Sequence, residues 1–256
     1  LTEDELHARG GTTEWLEQLA GERRAVRLRP SLGRAAASLS VISMGGSEGR
    51  EGTIIQMGAA FASSLARIFK VSPERLRILT ACGMAAGVAG AYNTPIAATL
   101  FVLEVVVGSF SMTLFGPAVV SAVMSTVVVR LLLGDEPVYA VAPFRLESFL
   151  EFLPFAVIGI AAGAASALFV RSLRASRALF ADTKLSLPVT MAMGGAIVGA
   201  IGIFLPEVWG SGFAGANRIL RGNPTLVLLL LLFVGKIVAT AATIGSGGVG
   251  GVFTPA

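Results

Sequence analysis

Gly46-Ser47-Glu48-Gly49-Arg50-Glu51-Gly52 decides how this chain is read, because three charged side chains there separate two charge-free runs, Ala35–Ser47 and Gly52–Ala66. Its glycines free the backbone for turns that other residues resist. A second stretch, Gly245-Ser246-Gly247-Gly248-Val249-Gly250-Gly251, matches it at an offset of 199 residues (46 to 245), with four of the seven positions identical. Each copy follows an apolar segment, and each is expected to open a helix, at Thr53 onward and at Val252 onward. Glycine-interrupted hydrophobic segments in corresponding positions of two halves point to a binding site near a membrane midplane.

The physics of such a site favours an anion. A helix start presents amide N–H groups without intrahelical acceptors and about half a positive charge. Buried in a bilayer, that end attracts a negative ion without the full cation that would hold it too tightly for release.

Working outward, the composition agrees with a membrane. Hydrophobic residues make up 54% of the 256 positions and charged residues 14%, where a soluble chain carries about 25% charged. A soluble enzyme and a disordered protein are disfavoured. The net charge of +4 comes from 20 Lys and Arg spread over segment ends, not gathered into a nucleic-acid footprint. One cysteine, Cys82, and one histidine, His7, leave no disulfide, no triad and no cysteine or histidine metal cluster to build. No catalytic site, metal or cofactor is therefore expected.

The charge-free runs continue through Ile78–Leu103, Val105–Val129, Phe152–Val170, Leu185–Pro206, Gly222–Gly235 and Ile237–Ala256. Several reach the roughly 20 residues a spanning helix needs, and the shorter ones read as helices that stop partway. Basic groups at Arg23–Arg34, Arg67–Arg77 and Arg171–Lys184 fall on the cytoplasmic side by the positive-inside rule, and the acidic loop 134–151 falls outside. Residues 1–34 read as a polar cytoplasmic segment, 35–134 as part of a first repeat half and 135–256 as part of a second. The expected fold is an all-α polytopic membrane protein. Without a recognisable signal peptide, and ending as a new segment begins, the chain reads as a piece of a longer one.

Gly49-Arg50-Glu51-Gly52 and Gly251-Val252-Phe253-Thr254-Pro255 resemble two of the three signature motifs of the CLC chloride channel and transporter family, GREGP and GxFxP. Ala91-Tyr92-Asn93-Thr94-Pro95 followed by Leu100-Phe101-Val102-Leu103-Glu104, and Val208-Trp209-Gly210-Ser211-Gly212-Phe213, are similar to further family segments in the same order. The absence of proline after Gly52 is similar to the bacterial ClcB-like branch. The resemblance implies an inverted repeat of short tilted and broken helices, a bacterial inner-membrane location and a homodimer with one anion pathway per subunit. It implies chloride or another small anion as substrate. The family's first-motif serine and late tyrosine would lie before residue 1 and after residue 256. The family's subunit contact would fall on helices around 95–109 and 112–133.

The resemblance implies Glu51 as the gate, a carboxylate that occupies the anion's position until it protonates or swings away. The bare alternative is an N-cap carboxylate. The implied anion ligands are the backbone amides of Gly49, Arg50, Gly52 and Thr53 in the first motif and of Gly251, Val252, Phe253 and Thr254 in the second. The Arg50 side chain is assigned to local structure, and Glu48 to a solvated edge. Glu104 is an intramembrane acid on a proton path, but the following position, an acid in family exchangers, is Val105. Channel-like conduction is therefore expected first, with proton-coupled chloride exchange as the alternative, then fluoride export or organic-anion carriage. Gly87, Gly90, Gly159, Gly163, Gly195 and Gly199 read as helix-packing positions. Lys236 reads as snorkelling or paired locally. Trp209 and Tyr139 read as interfacial.

Overall fold

The computed structural model describes residues 26–108, 110–134, 139, 141, 148–222 and 224–255. Residues 1–25, with His7, and most of the acidic loop, with Asp135, Glu136, Arg145 and Glu147, lie outside the described residues. Among the described residues every regular element is a helix. These are α1 (Leu28–Ser43), α2 (Glu51–Ile68), α3 (Pro73–Tyr92), α4 (Pro95–Phe101), α5 (Met112–Leu133), α6 (Phe152–Asp182), α7 (Leu187–Phe204), α8 (Phe213–Arg221) and α9 (Leu226–Gly245). Short 3-10 turns precede α6 and follow α7, and α4 widens into a π-helical turn over Val102–Val106. Met112–Leu133, Phe149–Asp182, Leu187–Phe204 and Leu226–Gly245 are long and apolar enough to cross a membrane.

Proline and glycine set the breaks. The charge-free run Ile78–Leu103 becomes two helices because Asn93 takes a left-handed conformation (φ 58°) and Pro95 opens α4. A left-handed residue ends a helix, and proline is at home in the first turn of the next. At seven residues, α4 is far too short to span alone.

The chain forms two compact units. Of the described residues, the first takes those within 26–40, 50–134 and 249–251, and the second those within 41–49, 139–248 and 252–255. In the first, α3 is the central helix, packed by α2, α4 and α5. Its core is built from small side chains, among them Ala59, Ala81, Ala85, Ala89, Ala118 and Ala122, around Met84, Val102 and Leu103. Small residues let backbones approach closely, which is how helices hold together where lipid offers no hydrophobic drive. Gly58 and Gly83 are the extreme case: a Cβ on either would overlap the other's carbonyl. Ser121 and Ser125 of α5 donate to the Cys82 and Ala86 carbonyls at 3.1 and 2.7 Å.

In the second unit α6 and α7 both pack on α9. Ser176 donates to the Ala241 carbonyl at 2.6 Å, and Thr190 donates to the Ser246 carbonyl at 3.0 Å. Trp209 lies over Gly202, where a Cβ would overlap its indole. Trp209 therefore has a packing role beside the interfacial one expected of it. Lys236 is paired locally: its ammonium donates to the carbonyls of Val208 (3.0 Å) and Gly210 (2.9 Å).

Of the six glycines assigned to packing, Gly87 meets Ile54, and Gly90 meets Ser125 and Val129. Gly159, Gly163, Gly195 and Gly199 meet nothing within 4 Å. They lie on outward faces of α6 and α7, so small-residue spacing alone did not identify contacts. Gly58 and Gly83, which meet each other between α2 and α3, were not singled out, although Gly83 stands four residues before Gly87 and Gly58 four before Ala62.

Candidate functional site

Both glycine stretches begin as the same helix stop. At the end of α1, the Gly45 amide bonds to the Ile42 carbonyl (3.0 Å) and the Gly46 amide to that of Val41 (2.9 Å). At the end of α9, Gly247 bonds to Ile244 (3.3 Å) and Gly248 to Thr243 (2.9 Å). Gly45 and Gly247 carry positive φ, 91° and 113°. This is the Schellman closure, whose residue after the cap must be left-handed and is usually glycine.

The closure corrects the repeat register. Gly45 pairs with Gly247 and Gly46 with Gly248, an offset of 202 (45 to 247) instead of 199. The shifted register also pairs Ile42 with Ile244 and Gly49 with Gly251, and it sets Glu51 opposite Phe253. Glycine strings slide against one another with little loss of identity; the backbone geometry fixes which glycine does which job.

Beyond the closure the stretches diverge. The first enters α2, with Arg50 at its N-cap and Glu51 as its first residue, and Arg50 makes no side-chain cap bond. The first amides of α2, Glu51 to Thr53, have no intrahelical acceptors. Gly49, Glu51, Gly52 and Thr53 are buried. After the second stretch, Val252–Pro255 form turns and not the expected helix. Gly251 is buried, Val252 and Thr254 are half-buried, and Phe253 is exposed. Arg50, Gly52, Thr53 and Gly251 belong to the first unit, and Gly49, Val252, Phe253 and Thr254 to the second.

Glu51 is 5% exposed and its Oε1 accepts a 2.8 Å hydrogen bond from the Tyr92 hydroxyl. The last residue of α3 thus holds the first side chain of α2. Sequence reasoning quoted Tyr92 only as part of a resembling segment and missed this role. No spacing in the sequence pointed to it; only the general need of a tyrosine hydroxyl within an apolar helix for a partner did. Arg50 is exposed and lines a cavity of about 430 Å³ with Asn93 and Arg130, whose Nε donates to Asn93 Oδ1 at 2.8 Å.

Glu48 is not at a solvated edge. It is 0% exposed, and its Oε2 lies 2.8 Å from where a Cβ on Gly248 would stand. Neighbouring Ser47 donates its amide to Thr243 Oγ1 (3.0 Å) and shares a 2.9 Å hydroxyl bond with Thr240. These bonds draw the chain inward against α9, which an isolated reading of Glu48 could not foresee. Glu104 and Val105 sit on the π-helical turn and are exposed, while Val102, Leu103 and Val106 are buried. Among the described residues no group of His, Cys, Asp and Glu could hold a metal ion.

A family model described as voltage gated chloride channel matches residues 4–256. The chain belongs to this family, the CLC family. It is 41% identical over 251 residues to a protein of Ralstonia nicotianae named as a ClcB-like chloride channel protein, covering 96% of this chain and 58% of that protein. To the voltage-gated ClC-type chloride channel ClcB of Salmonella typhimurium it is 38% identical over 226 residues, covering 88% and 54%. The chain thus spans somewhat more than half the length of these CLC relatives. A CLC-type fluoride/proton antiporter structure matches with TM-score 0.82 and 28% identity over 98% of this chain and 63% of that one. A slow cyanobacterial chloride/proton antiporter, at 22% identity and TM-score 0.71, covers 95% and 70% and shares the fold. With ClcB-like relatives and several spanning helices, this CLC chain is a multi-pass protein of the bacterial inner membrane.

Proposed function

We propose that the full protein conducts chloride or another small anion through a pathway gated by Glu51, without a cofactor and without enzymatic chemistry. The observation that carries this reading is the Glu51 carboxyl, buried at the first position of an 18-residue helix and held by Tyr92. A carboxylate in a bilayer is costly unless it faces a polar cavity or binds a proton, and such residues mark ion pathways. Beside the amides of a helix start it stands where an anion would stand. The anion's ligands in this reading are the amides of Gly49, Arg50, Gly52 and Thr53 together with those of Gly251, Val252, Phe253 and Thr254, one set from each repeat half (35–134 and 135–256).

Val105 favours channel-like conduction, since the acid of exchangers is absent there. The similarity to a fluoride/proton antiporter structure favours proton-coupled exchange as the second reading. Fluoride itself is disfavoured by Val252-Phe253 in the second motif. A homodimer is supported by the exposed aliphatic face of α5, with Val120, Met124, Val127 and Leu131 on one stripe. Cysteines placed along 119–129 should trap dimers; crosslinking restricted to 152–170 would remove that assignment.

The test is the reversal potential of the full-length protein under opposed chloride and pH gradients. Conduction that follows the chloride Nernst potential whatever the pH gradient supports the channel reading. A potential displaced by the pH gradient supports exchange, and absence of chloride current ends both.

A further inference from the structure

Glu51 is not the only buried acid at the glycine turns. Glu48 is more deeply buried, at 0% exposure, and has no role in the gate described above. Its carboxyl packs on the Cα of Gly248, in the second turn, at a place where any side chain on residue 248 would strike it. Around it the second unit supplies hydroxyls in a row: Thr240, Thr243 and Ser246 at three-residue spacing along one face of α9, with Ser47 and Thr190 bonded to that row. All five are buried.

Among the described residues, the elements packed around this place carry the following charged groups. The only charged side chain on α9 is Lys236, seven residues before Thr243, with its ammonium on the carbonyls of Val208 and Gly210. α7 carries none. α6 carries Arg171, Arg174, Arg177 and Asp182, and the last nine residues of α1 carry none. Arg50 and Glu51 follow Glu48 directly in the chain. A carboxyl in such surroundings changes the local field by a full charge whenever it gains or loses a proton. Gly248 precedes Gly251 by three residues, a chain distance of at most about 11 Å.

We propose that Glu48 is a second proton-binding site of the anion pathway, one that lowers anion occupancy at the second glycine turn when ionised and restores it when protonated. The proposal rests on the anion reading of the preceding subsection and adds a regulatory group to it. Protonation takes one proton from water onto a Glu48 oxygen, with no other bond made or broken. Glu51 and Glu48 then act on opposite turns, the first by occupying the anion's place and the second by repelling it from a distance. One unit charge at about 10 Å, at an effective dielectric near 20, changes anion affinity roughly tenfold.

The experiment measures chloride efflux from liposomes holding the full-length protein, with pH varied equally on both sides. In a Glu51→Gln background, flux should still rise roughly tenfold on acidification. Adding Glu48→Gln, which keeps size and hydrogen-bonding shape, should flatten that rise. A Glu51→Gln protein already flat with pH overturns the proposal, and so does a double variant that keeps the rise. A wild type without chloride flux is a separate result, which overturns the anion reading. In that event infrared difference titration decides for Glu48 alone. A protonated-carboxyl band that Glu48→Gln removes supports proton binding there, and a spectrum unchanged by the substitution overturns it.

Discussion

The two glycine turns share a closure and differ in everything titratable. Each follows a helix stopped by a left-handed glycine, Gly45 or Gly247, with the same pair of backbone bonds. In the matched register Glu48 stands against Gly250 and Glu51 against Phe253. Repetition therefore supplied the backbone, while one copy acquired the acids. In the proposed pathway the anion takes amides from both turns, whereas a proton response needs carboxyls on only one. Two acids on both sides would crowd negative charge where an anion must bind.

The largest effect expected from this asymmetry is at Glu51. Glu51→Gln should remove the larger part of the response of chloride flux to external pH in the full-length protein, leaving only the smaller rise assigned to Glu48. The carboxyl is worth several kcal/mol to an incoming anion at a low-dielectric site. Phe253→Leu, at the matched position, should keep that response. An unchanged pH response in Glu51→Gln, measured by liposome efflux, would break the comparison at its centre.

Next come the closures themselves. Gly45→Ala forces a side chain into left-handed backbone and should cost about 1–2 kcal/mol in unfolding of the detergent-solubilised protein. Gly247→Ala should cost more, because Leu187 already occupies the space its Cβ would take, whereas Trp209 leaves 3.7 Å at Gly45. Equal losses would mean the two stops are equivalent in packing as well as in backbone.

A smaller effect should follow Tyr92→Phe, which removes a hydrogen bond to a carboxylate, worth about 1.5 kcal/mol. The hydroxyl stabilises the ionised acid, so without it Glu51 takes a proton more readily. The rise of flux on acidification should then begin at higher external pH. A midpoint that moves downward would contradict Tyr92 as the partner of the charged form. The smallest expected loss is for Thr240→Val, which strands the buried Ser47 hydroxyl at about 1 kcal/mol, read as a lowered midpoint of thermal unfolding. The α1 turn alone should loosen, as seen by amide hydrogen exchange at Gly45 and Gly46.

Much of the fold was legible because membrane helices announce themselves by length and lack of charge. The span at 187–204 lies within a charge-free run, and 112–133 runs about one turn past another to include Arg130. The span at 226–245 joins two runs across Lys236, so the short run Gly222–Gly235 was not a helix stopping partway. Gly49-Arg50-Glu51-Gly52 was readable because charges set between two apolar runs are costly in a bilayer and mark the places where ions or protons are handled. Three things were hidden. The repeat register depended on which glycine is left-handed, a property of φ and not of letters. The burial of Glu48 depended on Thr240 and Thr243, nearly two hundred positions away. Tyr92 reached Glu51 only because α3 ends where α2 begins, which no local spacing encodes.

The mutual contact of Gly58 and Gly83 constrains how this protein can change over generations. Each glycine presses its neighbour's carbonyl, so an added methyl at either one meets backbone, which cannot rotate aside. Unlike a pair of core side chains, where enlargement on one helix is offset by trimming on the other, neither partner here has anything left to trim. No second substitution at this crossing can rescue a first, and a lineage that loses one glycine must move whole helices apart or return to it.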